Sequence, residues 1–523
     1  MTSLLLPAMF FAACVLPQEE PGAADVGDDT AATEVVPPSA AYLIVTVPAL
    51  EGVAARWAEY REATGYAVTT VLTKDLVRDT GDGEEVAGEV EREARALAKQ
   101  YPDRPVHILL LGDVTVDGED GIPGTACKND LGYCYTDNEY AGRSMDGVPT
   151  YAVGRIPAGS EAAATAALEK QIAFEAEYAV GEFNRRIFFY AGESGWDASL
   201  TELVESMVMM GLTKVDPAYD IIGLYNDPNS SYYYTPFDEK VVELFNEGSV
   251  FAMYLGHGSS AYNDGLSVHD IESLDAQGRL PYLALFACSN GEYYLPSPSV
   301  AEAAFAVDGG PIGVLAASGL SHPYGNAVFP YELQRSLFSG AFTTVGESLV
   351  DAKRQVMENE DEVRGLLDFY GSTEGLSDGD MARLREQHLD LYNYMGDPAS
   401  PLLLPPARVT LEVEGESYDG ALLVRGTVPN VEEGTAKVTF EVPIDQILGD
   451  LEDINVYSPD PATVQTNWAT AIDKVVVAVE VPVSGGAFEA TLTFDNDLPG
   501  ADYFVKAYVS DGKADAVGAA AVR

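Results

Sequence analysis

Apolar runs alternate with amphipathic stretches along most of the chain. Residues 106–111, Val-His-Ile-Leu-Leu-Leu, form a nearly continuous apolar run, which is typical of a strand buried on both faces of a parallel sheet. Residues 84–100 instead carry apolar side chains at helical spacing among charged ones, which predicts an amphipathic helix. Because such segments alternate from about residue 42 to residue 405, we expect an α/β fold.

The alternation falls into two rounds, the second of which begins at Arg186. Predicted strands cover residues 42–47, 67–72, 106–111, 187–191, 249–255, 282–287 and 312–316, with a further short segment at 151–157. Predicted helices cover residues 50–64, 84–100, 161–178, 199–212, 237–246, 300–306 and 345–358. We therefore expect one α/β subdomain at residues 41–180 and a second at residues 181–405.

The pattern changes after Pro405-Pro406. Short runs with alternating apolar and polar residues follow, for example residues 409–413 and 488–494. This period of two is typical of half-buried strands in antiparallel sheets. Residues 406–523 are accordingly predicted to form a separate all-β sandwich of roughly immunoglobulin size.

The charge balance makes negatively charged binding partners unfavourable. Asp and Glu number 83 against 30 Lys and Arg, so the formal net charge is -53. Such a surface repels phosphate backbones and anionic lipids, which makes nucleic acid a poor partner. With 47% hydrophobic residues the chain is nevertheless expected to fold into domains with buried cores.

The N-terminus resembles an export signal. Residues 1–14 are predicted to be a signal peptide, because residues 4–14 form an apolar run of the length of a signal-peptide h-region, although the first basic residue of the chain is Arg56. The run ends in Phe-Ala-Ala-Cys, which resembles a bacterial lipobox and makes Cys14 a candidate for lipidation. An acidic, disordered linker is predicted at residues 15–40. We expect an extracytoplasmic protein, either a cell-surface or outer-membrane lipoprotein or a secreted one, that contacts membranes only through this anchor.

One chemical pattern is repeated at three strand ends. Glu193 and His257 each follow an apolar strand and one glycine, and Cys288 directly follows a third apolar strand. Because the carboxyl ends of neighbouring parallel strands face one crevice, we expect the three side chains to lie within reach of each other. Taken singly, each has an ordinary alternative: a buried apolar thiol, a loop histidine and a surface acid.

These three residue types suit nucleophilic catalysis. An imidazole can hold a neighbouring thiol as the thiolate, and a carboxylate behind it orients the ring. Gly258, directly after the histidine, leaves room for a substrate carbonyl. Its N–H and that of Cys288 are therefore predicted to form an oxyanion hole.

The motifs around these residues resemble the gingipain-like cysteine peptidases of the caspase-like clan. The resemblance covers about residues 41–405 and rests on Tyr254-Leu255-Gly256-His257-Gly258-Ser259, Ala287-Cys288-Ser289-Asn290-Gly291, Ala191-Gly192-Glu193, Tyr42-Leu43-Ile44-Val45, Leu110-Leu111-Gly112-Asp113, Thr136-Asp137, Val153-Gly154-Arg155-Ile156-Pro157-Ala158 and Tyr394-Met395-Gly396-Asp397-Pro398.

The resemblance implies a fold and a set of roles. The fold would be a caspase-like α/β/α sandwich in two subdomains, the second of them catalytic, followed by an immunoglobulin-like β-sandwich. Cys288 would be the nucleophile, His257 the general base and acid, and Glu193 the third member of the triad. The reaction would be peptide-bond hydrolysis through a thioester acyl-enzyme, on protein or peptide substrates and without a required cofactor.

Other sites are less well supported by the sequence. Residues 256–261 match a dinucleotide fingerprint formally, but the residues that follow cannot open the required helix. A zinc site from His257, His269 and Cys288 lacks short ligand spacing. Structural calcium is possible by resemblance, since residues 113–120 offer oxygen ligands without EF-hand spacing. In an exported protein, Cys127 and Cys134 are candidates for a disulfide.

Two functional classes remain open from the sequence. The first is an exported cysteine endopeptidase, of which a sortase-like processing peptidase of an export pathway is a variant. The second is a non-catalytic surface binding or adhesion lipoprotein on the same fold.

The sequence also indicates which substrate side chain would be preferred before the cleaved bond. Relatives that cleave after Lys carry an acid in the loop that follows the strand after the nucleophile, whereas here no acid occurs between Asp308 and Glu332. A buried cationic side chain needs a carboxylate partner. We therefore expect a neutral specificity pocket and no preference for Lys, while the acids Asp197, Glu202 and Glu205 leave Arg open.

Overall fold

The computed structural model describes residues 39–176, 179–193, 208–209, 211–495, 498 and 502–522. Its strands, in chain order, are β1 (Ala40–Thr46), β2 (Tyr66–Leu72), β3 (Val106–Leu111), β4 (Thr115–Val116), β5 (Glu119–Asp120), β6 (Thr125–Cys127), β7 (Cys134–Thr136), β8 (Ala152–Ile156), β9 (Arg186–Ala191), β10 (Asp220–Tyr225), β11 (Phe251–Leu255), β12 (Tyr282–Phe286), β13 (Gly313–Ala317), β14 (Tyr392–Met395), β15 (Ala407–Arg408), β16 (Thr410–Glu414), β17 (Ala421–Thr427), β18 (Glu433–Glu441), β19 (Val475–Ser484), β20 (Ala487–Thr493), β21 (Tyr503–Ser510) and β22 (Asp515–Val522).

Helices connect most of these strands. The α-helices are Glu51–Ala63, Thr73–Leu76, Gly83–Gln100, Glu161–Ala176, Phe237–Glu247, Val300–Ala306, Pro323–Leu337, Val345–Glu358, Glu362–Thr373, Asp378–Leu391 and Pro461–Ile472. Short 3-10 helices lie at Pro48–Leu50, Asn138–Ala141, Glu182–Arg185 and Asp270–Ser273.

Ten strands form the central sheet, in the order β10-β9-β11-β12-β13-β14-β8-β3-β1-β2. All neighbours are parallel except β13 and β14, which run antiparallel. The sheet therefore consists of two parallel halves that run in opposite directions and meet at this pair. In the half that holds β9, β11 and β12, the carboxyl ends of the strands share one edge. The run predicted as a strand buried on both faces, Val106–Leu111, is entirely buried, and so is the predicted strand at Tyr282–Phe286.

The sequence did not predict β10 or β14, nor the helices Pro323–Leu337, Glu362–Thr373 and Asp378–Leu391. The first of these helices begins where a loop was expected. His322 accepts a hydrogen bond from the main-chain N–H of Tyr324, so it caps the helix, and Pro323 occupies the first turn. The helix predicted at residues 199–212 falls mostly outside the described residues.

A second sheet of eight strands follows, in the order β15-β22-β21-β18-β19-β20-β17-β16. Burial alternates along β17 and β20, as the period of two predicts, and their inward side chains join a separate apolar core. The expectation of an all-β region is wrong in one respect, because the helix Pro461–Ile472 lies between β18 and β19. Its Trp468 is buried and donates a hydrogen bond of 2.9 Å to the carbonyl of Gly223 in β10. The helix thus packs on the central sheet.

No helix within the described ranges combines the length and the apolar character needed to cross a bilayer.

Candidate active site

Glu193, His257 and Cys288 occupy equivalent positions beyond three adjacent strands. Strand β11 lies between β9 and β12. Leu255, two residues before His257, is the Cα partner of the residues that stand two positions before Glu193 and Cys288. Neighbouring strands are about 4.8 Å apart. His257 therefore follows the middle strand of the three, with the acid on one side and the thiol on the other.

The ladder of main-chain hydrogen bonds continues past the strand ends. The N–H of Gly192 donates to the carbonyl of Leu255 at 3.0 Å, and the N–H of Gly256 donates to the carbonyl of Phe286 at 3.3 Å. Both glycines directly precede a reactive residue. The sheet thus fixes the backbone up to the residues that carry the chemistry.

Gly258 is packed against the turn that holds the thiol. A Cβ atom at this position would lie 2.7 Å from the carbonyl oxygen of Cys288 and 2.8 Å from the Cβ of Ala287. Both distances are shorter than van der Waals contact, so only glycine allows the loop after His257 to approach this closely. The sequence singled out this glycine for a different reason, the approach of a substrate carbonyl.

The chain reverses directly after the thiol. Ser289 has a φ of 62°, in the left-handed region that non-glycine residues rarely adopt. Its N–H donates to the carbonyl of Gly319 at 2.8 Å, and the N–H of Gly291 donates to the carbonyl of Ala317, also at 2.8 Å. These bonds hold the turn to the end of β13 and leave Cys288 partly exposed.

One residue that the sequence analysis did not single out, Ser321, contacts the sulfur, and a second, Asn326, contacts Ser321. The N–H of Ser321 points at Sγ of Cys288 from 3.4 Å, and its hydroxyl lies 3.7 Å from the same sulfur. Asn326 in turn donates a hydrogen bond of 2.8 Å to that hydroxyl. An N–H directed at a sulfur stabilises negative charge on it. Both residues belong to the stretch between Asp308 and Glu332, which was considered for substrate specificity. Their polar side chains were the sequence signal that could have pointed to a role near the thiol.

A third residue that was not singled out, Asp264, lies in the loop that follows His257. Its Oδ2 accepts a hydrogen bond of 3.0 Å from the main-chain N–H of Glu193. Burial raises the pKa of the Asp264 carboxyl, while that N–H and the charge of His257 lower it. The side chains of His257 and Glu193 are both exposed. In the sequence, Asp264 counted only as one of the residues after 256–261 that cannot open the helix a dinucleotide site requires.

A cavity of about 330 Å³ adjoins these residues. Cys288, His257 and Glu193 line it together with mostly apolar side chains. Those from the sheet and from two helices include Phe189, Met253, Ala327, Tyr331, Val363 and Leu367. The only acids among the described lining residues are Glu193 and Asp227.

Other motif residues stabilise the fold away from the thiol. The guanidinium of Arg155 is buried and donates to both carboxylate oxygens of Asp137, at 2.8 and 2.7 Å. Asp397 is likewise buried and accepts hydrogen bonds from Trp57 and Arg61, at 2.8 and 2.7 Å. These charges are therefore paired within the core.

Three other sites were predicted from the sequence: a disulfide, a metal site and a lipidation site. Cys127 and Cys134 form a disulfide that closes the hairpin of β6 and β7. Within the described residues, no three His, Cys, Asp or Glu side chains are placed to hold a metal ion, and Asp113 accepts a hydrogen bond from the N–H of Val114. The lipidation candidate Cys14 lies outside the described residues.

Comparison with known proteins identifies a family and similar solved structures for this chain. A family model for peptidase family C25 matches residues 36–403. No curated protein sequence matches the chain significantly. The crystal structure of the Arg specific cysteine proteinase gingipain R is 16% identical, with a TM-score of 0.52 over 93% of this chain and 98% of that chain.

The complex of the pro- and mature domains of RgpB from Porphyromonas gingivalis is a second similar structure. It is 15% identical, with a TM-score of 0.50 over 91% of this chain and 99% of that chain. At these identities the likeness concerns the fold. The predicted fold class, a caspase-like α/β region followed by a separate β domain, is thereby confirmed.

Proposed function

Since the chain belongs to peptidase family C25 and is therefore a cysteine-type peptidase, we propose that Cys288 is its nucleophile and His257 its general base and acid. The observation that carries this proposal is their placement. Both residues follow register-paired positions of adjacent parallel strands, and both line the same cavity. The resemblance of the flanking motifs assigns Glu193 as the third member, in an orienting role.

The reaction begins when the thiolate of Cys288 attacks the carbonyl carbon of a peptide bond. The carbonyl oxygen becomes an oxyanion, which the N–H groups of Gly258 and Cys288 stabilise. His257, protonated by the thiol, gives this proton to the leaving amine, and the C–N bond breaks to leave a thioester. His257 then takes a proton from water, whose oxygen attacks the thioester, and the proton returns to the sulfur as the acid is released.

The cavity suits a large uncharged side chain on the residue before the cleaved bond. A buried cation there would need a carboxylate partner. Asp227 is already engaged, since its Oδ1 accepts two hydrogen bonds of 2.9 Å from Asn229. Glu332, the first acid after β13, is buried and bonds to Asn359 at 2.7 Å and to Arg335 at 3.0 Å. Glu332 therefore offers no free carboxylate to a Lys side chain, whereas Asp197, Glu202 and Glu205 lie outside the described residues and leave a preference for Arg open.

The location of the protein is part of the proposal. The signal-like N-terminus, the lipobox-like Cys14 and the net charge of -53 support export and an anchor at the cell surface or outer membrane. The disulfide Cys127–Cys134 is consistent with an oxidising compartment. The substrates would then be extracytoplasmic proteins or peptides.

Alkylation of the thiol tests the central proposal. We expect iodoacetamide at pH 6 to modify Cys288 rapidly and to stop peptide hydrolysis, because a thiolate held by an imidazole remains nucleophilic at this pH. In the His257→Ala variant the alkylation rate should fall at least tenfold. A slow reaction that does not depend on His257 would support a non-catalytic binding protein on the same fold instead.

A further inference from the structure

Ser321 makes all the hydrogen-bond contacts of the Cys288 sulfur within the part of the chain that the structure describes. Its main-chain N–H points at Sγ from 3.4 Å, and its hydroxyl oxygen lies 3.7 Å from the same atom. Its carbonyl oxygen lies 3.6 Å from Sγ, where it accepts from the S–H of the neutral thiol. Ser321 itself is buried. These contacts are therefore shielded from solvent on the side of the serine.

A chain of hydrogen bonds reaches the Ser321 hydroxyl from two other elements of the fold. The phenol of Tyr392, in β14, donates to Oδ1 of Asn326 at 2.7 Å. The side-chain amide of Asn326, in the helix Pro323–Leu337, donates to the hydroxyl oxygen of Ser321 at 2.8 Å. All three side chains are buried. The chain thus begins in the strand that joins the two halves of the central sheet and ends at the thiol.

The chemistry of these groups gives the chain a direction. Burial raises the pKa of the Tyr392 phenol well above its usual value, so this hydroxyl keeps its proton. An amide nitrogen donates and does not accept, so Asn326 occupies a lone pair of the Ser321 oxygen. The Ser321 hydrogen can then point at the sulfur or at the phenol oxygen, which it also approaches. A thiolate is charged and is the stronger acceptor, so the hydroxyl turns to the sulfur when the thiol ionises.

Aromatic packing fixes the first member of the chain. The ring centroid of Tyr392 lies 5.1 Å from that of Phe286 and 5.3 Å from that of Phe329. Phe286 ends β12, two residues before Cys288. The phenol therefore has a fixed position relative to the nucleophile. Donors arranged in advance in this way need not reorganise when charge forms on the sulfur.

We infer that Ser321 is a further catalytic residue, which donates a hydrogen bond from its hydroxyl to the thiolate of Cys288, and that Asn326 and Tyr392 are positioning residues. The inference rests on the proposed function of Cys288 as the nucleophile. His257 still receives the proton of the thiol, and the Ser321 hydroxyl keeps its own proton throughout. A hydrogen bond to a charged acceptor is roughly twice as strong as one to a neutral acceptor, so this bond favours the thiolate over the thiol.

Alkylation of Cys288 at two pH values tests this role without relying on turnover. In Ser321→Ala the rate of reaction with iodoacetamide at pH 6 should fall about threefold or more, because less of the thiol is ionised. The main-chain N–H remains, so the loss is partial. At pH 10, where an ordinary thiol is ionised, variant and wild type should react within about twofold of each other. An unchanged rate at pH 6 would overturn the inference, and so would an equal loss at both pH values, which a purely structural effect would produce.

The substitution leaves the other titratable groups around the thiol in place. Those of the described residues are the phenol of Tyr392 and, along the cavity, Glu193, Tyr225, Asp227, His257, Tyr331 and Tyr370. A change in the alkylation rate therefore reports the serine hydroxyl. Ser321→Thr keeps a hydroxyl and should restore at least about half of the wild-type rate at pH 6. A rate no higher than that of Ser321→Ala would contradict the role of the hydroxyl.

The far end of the chain provides a second, milder variant. Tyr392→Phe removes only the phenol oxygen and should lower the alkylation rate at pH 6 about twofold or more, because Asn326 loses the donor that orients its amide. In the Ser321→Ala background the same change should have no further effect, since the chain no longer reaches the sulfur. Additive losses would exclude the chain.

Tyr394→Phe is the matched control for the loss of a phenol. Tyr394 is also buried and lies two residues further along β14, and its hydroxyl has no hydrogen-bond partner among the described residues. This variant should keep the wild-type alkylation rate. A loss as large as that in Tyr392→Phe would show that any change in this strand has the effect, which would contradict the positioning role.

Two outcomes separate this inference from the proposed function. Alkylation that depends on His257 but not on Ser321 would overturn the inference and leave the proposed function in place. Full peptide hydrolysis by Cys288→Ala would show that the proposed function is wrong, and the inference with it. If Ser321→Ala does not fold, Tyr392→Phe serves in its place, and a wild-type alkylation rate in that variant would overturn the inference.

Discussion

The side-chain amide of Asn263 donates a hydrogen bond of 3.1 Å to the carbonyl oxygen of the Asn290 side chain. This bond joins the loop after His257 to the turn after Cys288. Asn290 is completely buried, and its own amide donates to the main-chain carbonyl of Ser259 at 2.6 Å. Because the two strands end before these residues, the asparagine pair continues their connection where the ladder of backbone bonds stops.

Asn290→Ala should therefore reduce both stability and activity. The substitution leaves the main-chain carbonyl of Ser259 without this donor and the side-chain amide of Asn263 without its acceptor, and we expect a loss of about 1–3 kcal/mol in the free energy of unfolding. Hydrolysis should fall at least tenfold because the thiol and the imidazole lose their fixed separation. Urea unfolding and peptide turnover measure the two effects. A double-mutant cycle with Asn263→Ala should show coupling between the two sites, and strict additivity would contradict the connection.

Cys288→Ala should abolish peptide hydrolysis without unfolding the protein. The side chain is small and partly exposed, so its loss leaves little cavity. We expect the free energy of unfolding to change by less than about 1 kcal/mol. Urea unfolding beside a hydrolysis assay checks both parts. Normal turnover by this variant would exclude Cys288 as the nucleophile.

The cavity predicts which peptides are cleaved. A peptide library should show large uncharged residues before the cleaved bond and no preference for Lys. Ala327 lines the cavity, so Ala327→Phe should lower kcat/KM at least tenfold for Leu or Phe at this position and leave Ala substrates unaffected. Ala163→Phe, on an exposed helix surface, is the control for the added ring. A strong Lys preference would contradict this view of the cavity.

The buried carboxyl of Glu302 should make stability depend on pH. Burial raises its pKa from 4.5 to about 7, so between these values the folded state binds more protons than the unfolded state. Its contribution to the free energy of unfolding therefore falls as pH rises from 4.5 through 7, by at most about 3 kcal/mol. Glu302→Gln keeps the capping interaction with Ser299 and removes this titration.

Urea unfolding of both proteins at pH 5 and pH 8 measures the difference. The variant should gain stability relative to wild type between the two pH values. Equal differences at both values would show that Glu302 keeps its ordinary pKa in the folded protein.

If Cys14 is lipidated, the mature protein begins at this residue and fractionates with membranes. Cys14→Ser should release it or stop its maturation. Mass spectrometry of the mature N-terminus identifies the modification. An unmodified Cys14 in the mature protein would contradict the anchor without affecting the peptidase.

The sequence by itself determined the fold class and the three strand ends. A strand covered on both faces needs a continuous apolar run, so Val106–Leu111 and Tyr282–Phe286 were evident without any neighbour. Parallel strands also place their carboxyl ends at one edge, which is why Glu193, His257 and Cys288 could be grouped from their positions alone.

Only the tertiary structure decided where strand β14 forms and which partners the polar residues near the thiol have. Strand β14 has just four residues and no distinctive period, and it becomes a strand because the edges of β13 and β8 supply its hydrogen bonds. Asp264, Ser321 and Asn290 likewise look like ordinary polar turn residues in the sequence. Their roles come from partners in other segments of the chain. The local pattern of apolar residues reflects how an element is buried. A contact between distant segments depends instead on how the folded backbone brings those segments together.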